Sequence, residues 1–383
     1  MLLVSNDFPP KVGGIQNYLY ELVKRLPFEN TKVITTKYNG AKEFDREQSF
    51  DIERYSKILW PTPKLIHHIN KTIDKLNSEI VFIDPALPTG LIASHLRDIT
   101  KCLIVHGAEI TTPGKIFPTK LLLRQEMKSI DIVLSAGTYA AQQLANVVNG
   151  DINYLRIPPG VDVNRFSIPD TNEKLQAQIS LRETLGISVN SKIVVSISRL
   201  VPRKGFDVLI NAISKTDEDL NVVIVGKGRD EKRLKDLAIK KGVEDRIHFL
   251  GSVSDSDLRM VLHGSDIFAM LCRDRWKGLE AEGFGIVFLE AQSCGLPVIV
   301  GDSGGSSESL IEGETGFCID PKSENELINK LNILLSDNEL ASQMGIKGRE
   351  FVEKNHSYDY LASLLVPIVQ CDFSRIKTIS PNR

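Results

Sequence analysis

The sequence predicts an α/β fold built from two doubly wound parallel sheets. Short β-branched runs alternate with longer amphipathic stretches along almost the whole chain, which is the pattern of repeated βαβ units. Several of these runs are almost continuously apolar, as parallel strands covered on both faces are. The length of 383 residues also exceeds the roughly 250–300 residues that one hydrophobic core supports, so it favours more than one domain.

Each apolar run is interpreted as a strand because it is short and bounded by polar or turn-forming residues. The first half of the chain contains six such runs: Leu2–Ser5, Val33–Thr35, Ile80–Ile83, Leu103–His106, Ile132–Ser135 and Asn153–Ile157. The second half contains five: Ile193–Ile197, Val222–Val225, Ile247–Leu250, Ile267–Met270 and Val298–Val300.

The boundary between the two domains is predicted at Pro158-Pro159-Gly160. Each proline disfavours helix in the residue before it, and the glycine permits a sharp turn. The alternation of strand and helix restarts at Ile193, after a polar stretch from Asp170 to Glu183. We therefore expect the second domain to occupy residues 161–356.

Composition excludes several classes of protein. With 47 basic and 49 acidic residues the formal charge is -2, so nucleic-acid binding through a bulk positive field is not expected. The five cysteines form no C-x-x-C pair, which favours reduced thiols in an intracellular protein. The opening apolar run is shorter than a signal peptide needs, and no apolar run reaches the ~18–20 residues of a membrane span. We therefore expect neither feature and a cytoplasmic location.

A glycine-containing motif follows the first predicted strand and precedes a helix predicted over about 15–26. Its glycines allow a ligand to approach the backbone, and the helix N-terminus favours an anion. The spacing differs from the dinucleotide pattern G-x-G-x-x-G, which argues against NAD. An ordinary turn with a helix cap remains the alternative. The motif is Asn6-Asp7-Phe8-Pro9-Pro10-Lys11-Val12-Gly13-Gly14-Ile15-Gln16.

A basic motif follows the first strand of the second domain, at the carboxyl end where open α/β sheets bind ligands. Arg199 and Lys204 can together hold a diphosphate without a metal ion, although a solvated basic loop is the alternative. The motif is Ser198-Arg199-Leu200-Val201-Pro202-Arg203-Lys204-Gly205.

Two further features carry candidate chemistry. In the run from Glu282 to Glu290, a loop carboxylate can accept a sugar hydroxyl and a helix carboxylate can accept a ribose diol. His106 ends an apolar run and lies at a predicted strand end, although a structural histidine is as plausible there. We expect no metal site, because there is no H-x-x-x-H pair and the triplets 217–219 and 255–257 have the context of turns or helix caps.

Together these motifs resemble the retaining glycosyltransferases of family four. The resemblance rests on the order and spacing of N-D-F-P-P-x-x-G-G-I-Q, P-P-G-V-D at 158–162, S-R-L-V-P-R-K-G and E-G-x-G-I-V-x-L-E-A. Within that family the sequence is most similar to GDP-mannose-dependent α-mannosyltransferases of phosphatidylinositol mannoside. The resemblance implies a GT-B fold of two Rossmann-like domains facing a cleft. It also implies that 357–383 returns to complete the N-terminal, acceptor-side domain of residues 1–160.

The resemblance assigns roles to the matching residues. Arg199 and Lys204 would neutralise the donor diphosphate in place of a metal, and Gly13 and Gly14 would approach it from the opposite domain. Glu290 would hold the ribose and Val253 would contact the base through its main chain. Glu282 would orient the donor sugar together with loop amides, which belong to Gly283, Phe284, Gly285 and Ile286.

His106 would contact the donor sugar near the reacting carbon, and Asp7 and Gln16 would face the acceptor. The residues expected to act in catalysis are His106, Glu282, Arg199 and Lys204. Catalysis would be mainly positioning and charge stabilisation of the leaving diphosphate. The resemblance also implies retention by same-face attack, with a donor phosphate oxygen taking the acceptor proton. No residue stands out as a protein nucleophile.

Some positions depart from the family pattern. Ser306-Ser307-Glu308 replaces the common Ala-Pro-Glu, and the stretch 272–279 with Trp276 differs from the usual glycine-rich version. These loops bear on donor and acceptor, so a UDP- or ADP-sugar donor with a soluble acceptor is the alternative. A sugar-nucleotide 2-epimerase, which shares the architecture, is a more distant one.

A lipid acceptor would require contact with a membrane. Lys64, His68, Lys71 and Lys75 repeat at helical spacing after Trp60, and a second stretch combines basic residues with an apolar group, namely Phe117, Leu121, Leu122 and Leu123. Basic amphipathic helices bind anionic bilayers. Ordinary helices packed on a sheet are the alternative. We expect peripheral contact with anionic lipid.

Overall fold

The structure is a computed structural model that describes residues 1–27, 31–216 and 219–382. The chain divides into two compact units. Unit 1 comprises Met1–Gly160 with Tyr358–Arg383, and unit 2 comprises Val161–Ser357.

The strands of the described residues are short and mostly buried. In chain order they are β1 (Leu2–Ser5), β2 (Lys32–Thr36), β3 (Asp51–Ser56), β4 (Ile80–Asp84), β5 (Thr100–Val105), β6 (Ile132–Ser135), β7 (Ile152–Arg156), β8 (Lys192–Ile197), β9 (Leu220–Val225), β10 (Ile247–Gly251), β11 (Ile267–Met270), β12 (Val298–Gly301), β13 (Gly316–Ile319) and β14 (Lys377–Ile379).

The α-helices connect these strands and cover the sheets. They are α1 (Gly14–Val23), α2 (Ala41–Arg46), α3 (Pro63–Leu76), α4 (Ala108–Gly114), α5 (Phe117–Met127), α6 (Thr138–Val148), α7 (Thr171–Leu185), α8 (Phe206–Ile213), α9 (Glu231–Lys241), α10 (Asp255–Gly264), α11 (Ile286–Ser293), α12 (Glu324–Ser336), α13 (Asn338–His356) and α14 (Tyr358–Val369).

Unit 1 contains a sheet in the order β14-β7-β6-β5-β4-β1-β2-β3. All neighbouring strands are parallel except β14, which pairs antiparallel with β7. Successive residues of β1 enter different apolar clusters, Leu3 on one face and Leu2 and Val4 on the other. The sheet is therefore buried on both faces, as its apolar strands predict.

Helix α14 belongs to unit 1 although it follows unit 2 in the chain. Tyr358, Leu361, Leu365 and Ile368 are at most 4% exposed and join the core cluster that contains α1. Arg25 of the segment after α1 also pairs with Asp359 at 2.6 Å. The end of the chain thus completes the core of unit 1.

Unit 2 contains a wholly parallel sheet in the order β10-β9-β8-β11-β12-β13. Val194 of β8 lies in one apolar cluster, while Ile193 and Val195 lie in the cluster on the other face. Two mostly parallel sheets, each covered on both faces, confirm the predicted α/β class.

All eleven predicted strands are present, but three strands are additional. Strand β3 was not predicted because its sequence Asp-Ile-Glu-Arg-Tyr-Ser is charged, as suits its place at the sheet edge. Strands β13 and β14 have only four and three residues. The polar stretch after Asp170 forms α7, where Asp170 and Glu173 make a capping box.

Candidate functional site

In unit 1 the candidate residues after β1 contact one another directly. Nε2 of Gln16 and Nζ of Lys11 both donate to Oδ1 of Asp7, each at 2.5 Å. Gly13 lies close beside them: a Cβ there would come within 2.1 Å of Oε1 of Gln16, so a larger residue would displace the end of the Gln16 side chain. The structure therefore brings three predicted residues, Asp7, Gly13 and Gln16, into one loop and the first turn of α1.

His106 lies one residue beyond β5 and is held on several sides. Its Nε2 is 2.8 Å from Oδ1 of Asp84, the last residue of β4. The ring packs edge-on against Tyr18 with centroids 5.8 Å apart, and Glu109 accepts a hydrogen bond from the backbone N–H of His106. A side chain held in this way is positioned rather than free.

Charge around His106 favours its protonated form. Burial is the largest influence and by itself lowers the pKa of His106, but the hydrogen bond and charge of Asp84 and the charges of Glu109 and Asp7 outweigh it. The pKa of His106 is consequently raised above its ordinary 6.5. The surrounding carboxylates in unit 1 thus favour a positive charge on His106.

In unit 2 two cations meet one carboxylate. Nζ of Lys204 and Nη1 of Arg203 each donate to Oε2 of Glu282 at 2.6 Å. Lys204 is 6% and Glu282 8% exposed. Burial raises the pKa of Glu282, but the charges of Lys204 and Arg203 outweigh that effect and hold it below its usual value. The cluster therefore keeps a net positive charge.

Glu282 uses only one of its oxygens in this cluster. The thiol of Cys272 also approaches Oε2, at 3.4 Å, whereas Oε1 has no partner among the described residues. The backbone of Glu282 is fixed by Ser303, whose Oγ accepts from its N–H at 3.1 Å, and by Gly305, whose N–H donates to its carbonyl at 2.9 Å. One carboxylate oxygen remains for a ligand hydroxyl.

Arg199 differs from Lys204 in its surroundings. It is exposed, and it follows β8 in a tightly packed loop. Gly226 has a φ of +131°, and a Cβ there would come within 1.9 Å of the carbonyl oxygen of Ser198. The loop backbone is thereby fixed while the guanidinium stays available to an anion.

Glu290 lies on α11 as predicted, and nothing in the described part of the chain hydrogen-bonds to its carboxylate. Burial raises the pKa of Glu290 to about 7, with the charge of Arg165 opposing this. A half-buried carboxylate without a protein partner suits a ligand that brings its own hydroxyl donors.

The loop before α11 exposes main-chain groups. Gly285 caps the helix with a φ of +94° and without any side-chain capping bond, while Phe284 is buried in the core. The amide groups from Gly283 to Ile286 therefore stand at a helix N-terminus that favours an anion. Val253 is half-buried after β10 and packs against the same core cluster.

Only one of the two acidic triplets, 255–257, lies wholly within the described residues. Asp255 and Asp257 lie in the first turn of α10, where Oγ of Ser254 accepts from the N–H of Asp257, so this triplet belongs to a helix start. In the other triplet, Asp217 and Glu218 lie outside the described residues. No group of three or more His, Cys, Asp or Glu side chains within the described ranges is arranged to hold a metal ion.

Two groups were missed by the sequence prediction. Arg203 was part of the basic motif, but no role was assigned to it; the adjacent Arg-Lys pair was the available signal. Ser5 was treated only as a strand residue, and its partner Asp84, which follows the predicted strand Ile80–Ile83, was not singled out. Both stand at carboxyl ends of neighbouring strands, so the rule that selected His106 could have selected them.

The sequence of this chain is similar to those of known enzymes. A family model described as glycosyl transferases group 1 matches residues 178–351. The chain is also 34% identical over 386 residues, 97% of this chain and 98% of the relative, to a GDP-mannose-dependent alpha-(1-6)-phosphatidylinositol monomannoside mannosyltransferase of Mycobacterium tuberculosis. The chain belongs to the group 1 glycosyltransferases. The resemblance that its motifs suggested is confirmed, and the protein is an enzyme of that family.

Other similar sequences also belong to glycosyltransferases. The monoacylated alpha-(1-6)-phosphatidylinositol monomannoside mannosyltransferase of Corynebacterium glutamicum, also GDP-mannose-dependent, is 33% identical over 97% of this chain and 98% of its own. A D-inositol 3-phosphate glycosyltransferase of the same species is 33% identical over 72% of this chain and 68% of its own.

Solved structures share the fold. Anabaena HepE in complex with UDP superposes with a TM-score of 0.79 at 20% identity, covering 97% of this chain and 100% of that one. Sucrose-phosphate synthase of Thermosynechococcus elongatus gives a TM-score of 0.75 at 18% identity, over 97% and 99% of the two chains. The GT-B fold predicted for this glycosyltransferase is confirmed.

Proposed function

We propose that this glycosyltransferase moves mannose, with retention of configuration, from GDP-mannose to a lipid-linked acceptor such as phosphatidylinositol monomannoside. The observation that carries the proposal is the 34% identity over 97% of the chain to an enzyme with that named activity. Charge in unit 2 supports it: Arg199, Arg203 and Lys204 supply cations for a diphosphate, while the Glu290 carboxylate has no partner in the described structure.

The proposed chemistry needs no metal ion. Arginine and lysine stabilise the negative charge that develops on a leaving diphosphate. In metal-dependent enzymes a divalent cation stabilises that charge. Glu282 orients the donor sugar through its remaining oxygen, and His106 contacts the sugar as the family resemblance implies. Transfer should persist in excess EDTA, and loss of transfer that is restored by Mg²⁺ or Mn²⁺ would contradict this part of the proposal.

Retention follows from same-face attack, with a donor phosphate oxygen taking the acceptor proton. The anomeric configuration of the product, read from its one-bond C1–H1 coupling by NMR, tests this step. An α-mannoside is expected. A β-mannoside would exclude retention while leaving the donor assignment intact.

The donor is tested by screening hydrolysis of GDP-mannose against GDP-, UDP- and ADP-glucose. We expect GDP-mannose to be consumed fastest. A preference for UDP- or ADP-glucose would favour the alternative hexosyltransferase, and conversion of a nucleotide sugar to its 2-epimer without a new glycosidic bond would favour the epimerase.

A second acceptor class is favoured by one comparison. The D-inositol 3-phosphate glycosyltransferase is 33% identical to this chain, and its named acceptor shares a phosphorylated inositol ring with phosphatidylinositol monomannoside. We infer that an inositol phosphate group is common to both candidate acceptors. The two acceptors are distinguished by measuring transfer of mannose while free inositol phosphate and the lipid acceptor compete. The preferred acceptor should saturate the enzyme at the lower concentration.

We also propose that α5 contacts anionic membrane. No helix in the described ranges is long and apolar enough to cross a bilayer. Phe117 is 74%, Leu121 47% and Leu122 43% exposed, and exposed lysines flank them at 115 and 128. Apolar side chains exposed beside cations suit the interface of an anionic bilayer.

Helix α3 is a poorer candidate than its sequence suggested. Its apolar residues Leu65, Ile69 and Ile73 are buried in the core of unit 1. His68, predicted on the basic face, lies 2.6 Å from Glu53 and stacks on Tyr55. The exposed apolar residues near it are Ile58 and Trp60, both 62% exposed and both before the helix begins.

The membrane proposal is tested by flotation with vesicles of phosphatidylcholine and phosphatidylinositol. The double variant Phe117→Ser, Leu121→Ser should float less than the wild type, while Ile239→Ser on α9, a residue also 62% exposed, should float normally. Equal flotation of all three proteins, or no binding by the wild type, would overturn the proposal.

A further inference from the structure

Asp84 is a buried carboxylate at the centre of the unit 1 site. It is fully buried and ends β4. Strand β4 pairs with β1 on one side and β5 on the other, and Ser5 is the register partner of Asp84. Asp84 therefore lies between the loop with Asp7 and the strand that leads to His106.

Both oxygens of Asp84 are engaged by neighbouring strands. Oγ of Ser5 donates to Oδ2 at 2.6 Å, and Nε2 of His106 is 2.8 Å from Oδ1. A carboxylate is only an acceptor, so Nε2 of His106 must carry the proton. The nitrogen that remains is Nδ1, which has no hydrogen-bond partner among the residues described.

The charged groups facing His106 come from three other parts of unit 1. Asp84 belongs to β4, Glu109 to α4 and Asp7 to the loop after β1, and all three favour the protonated ring. Tyr18 of α1 adds an edge-on aromatic contact. Asp84 makes the only direct side-chain hydrogen bond to the ring within the described part, which makes it the group with the strongest hold on the proton.

We propose that Asp84 is a positioning residue that holds His106 as an imidazolium and leaves its Nδ1–H to donate to a hydroxyl of the donor sugar. The inference rests on the proposed function, because the contact between His106 and the sugar does. Asp84 itself touches neither substrate.

The pairing has a chemical reason. Positive charge develops on the sugar ring during glycosyl transfer, through an oxocarbenium-like transition state. A lone imidazolium beside that ring would oppose it. The Asp84–His106 pair has no net charge, so it offers a charge-assisted hydrogen bond without adding net positive charge near the reacting carbon.

The test measures the ring and the reaction separately. Histidine ring ¹H–¹⁵N spectra are recorded across about pH 5 to 9, and the His106→Gln variant identifies the His106 signal. In the wild type His106 should titrate above 6.5, the ordinary value. In Asp84→Asn, which keeps the shape and removes the charge, the pKa of His106 should fall, because the hydrogen bond and charge of Asp84 are the largest influences that raise it.

Turnover of GDP-mannose should change in step with the spectra. The alkaline limb of the kcat profile should move to lower pH in Asp84→Asn, with the KM for GDP-mannose changed less than about threefold. Ser78→Ala, at the other end of β4, where Oγ of Ser78 donates to the carbonyl of Ile80 at 2.8 Å, should leave both the His106 pKa and the profile close to wild type.

Several results would overturn the proposal. One is an unchanged His106 titration in Asp84→Asn, and another is loss of kcat at every pH without a shift of the profile. If Asp84→Asn does not fold, a wild-type His106 signal titrating below 6.5 is decisive against it. The spectra need no substrate, so they remain informative even if GDP-mannose proves not to be the donor.

Discussion

Glu290 should affect both the stability of the fold and the binding of GDP. Its burial opposes ionisation and so lowers stability, whereas its proposed ligand, the ribose diol, needs the ionised carboxylate. Burial raises the pKa of Glu290 from 4.5 to about 7. The unfolded chain therefore loses this proton at lower pH than the folded protein, and stability falls as pH rises between those values.

Glu290→Gln removes that penalty. At about pH 8 the variant should be more stable than the wild type by up to about 3 kcal/mol, and at about pH 4 the difference should vanish. Its GDP affinity should fall about tenfold, because an amide is a weaker acceptor for the ribose diol. Urea denaturation at both pH values and calorimetric titration with GDP measure these changes. Glu350→Gln, exposed on α13, is the control and should show neither.

Substitutions of Arg199 and Lys204 should both lower GDP affinity, but only the substitution of Lys204 should lower the stability of the fold. Arg199 is exposed, so Arg199→Ala should lower GDP affinity roughly tenfold while changing stability by less than about 0.5 kcal/mol. Lys204→Met should also weaken binding, but it leaves Glu282 buried with one cation fewer. Its cost to folding should be about 2 kcal/mol.

Calorimetric GDP titration and urea denaturation of the two variants distinguish these outcomes, with Lys232→Ala on the exposed face of α9 as the control. Equal destabilisation by both substitutions would show that the buried cluster in unit 2 has been misassigned.

Sequence reasoning at this scale found residues at strand ends but not their pairings. It selected Lys204 by the carboxyl-end rule and Glu282 separately, as a loop carboxylate in the glycine-containing run before a helix. That Arg203 and Lys204 share one oxygen of Glu282 depends on where two distant loops meet. Asp84 was missed because a single aspartate at a strand end is common. Its role becomes apparent only from its hydrogen bonds with Ser5 and His106.

At the scale of elements, the turn between β8 and α8 depends on Gly205. Its φ is +71°, and a Cβ there would lie 1.9 Å from the carbonyl oxygen of Leu271. Gly242, which ends α9, has a similar φ of +65° but nothing within 4 Å of the same position. Both glycines adopt a left-handed conformation that would strain a residue with a Cβ, and they differ only in the space around that position.

Gly242→Ala should therefore cost about 1–2 kcal/mol, and Gly205→Ala should cost several kcal/mol more and reduce GDP affinity. Urea denaturation of both variants gives the comparison. Similar losses in the two would mean that the approach of Gly205 to Leu271 does not constrain the loop.

Elements were predictable where burial on both faces leaves an apolar run, as in β1, β6 and β11. The polar helix α7 was not predicted, because of its fifteen residues only Ala177, Leu181 and Arg182 are buried and no apolar stripe results. Its capping box was present in the sequence as Asp170-x-x-Glu173 and was the one local signal.

At the scale of the whole molecule, the division into two units makes a prediction about cooperativity. Leu361 of α14 is fully buried in the core of unit 1, although the whole of unit 2 precedes it in the chain. Leu361→Ala should destabilise unit 1 by about 2–5 kcal/mol.

Hydrogen exchange followed by mass spectrometry should then show faster exchange in peptides of residues 1–160, with peptides of residues 161–357 unchanged. Ser363→Ala, on the exposed side of the same helix, is the matched control. Uniform acceleration throughout the chain would show instead that the two units unfold together.

Transfer of mannose to a lipid is the property that the proposed function requires of the whole molecule. The measurement is incubation of the purified chain with GDP-[¹⁴C]mannose and phosphatidylinositol monomannoside, followed by separation of lipid and water-soluble products. We predict label in a lipid that has gained one mannose, reduced at least about tenfold in Arg199→Ala. Label found only in free mannose, or lipid glycosylated from UDP-glucose but not from GDP-mannose, would contradict the proposed function.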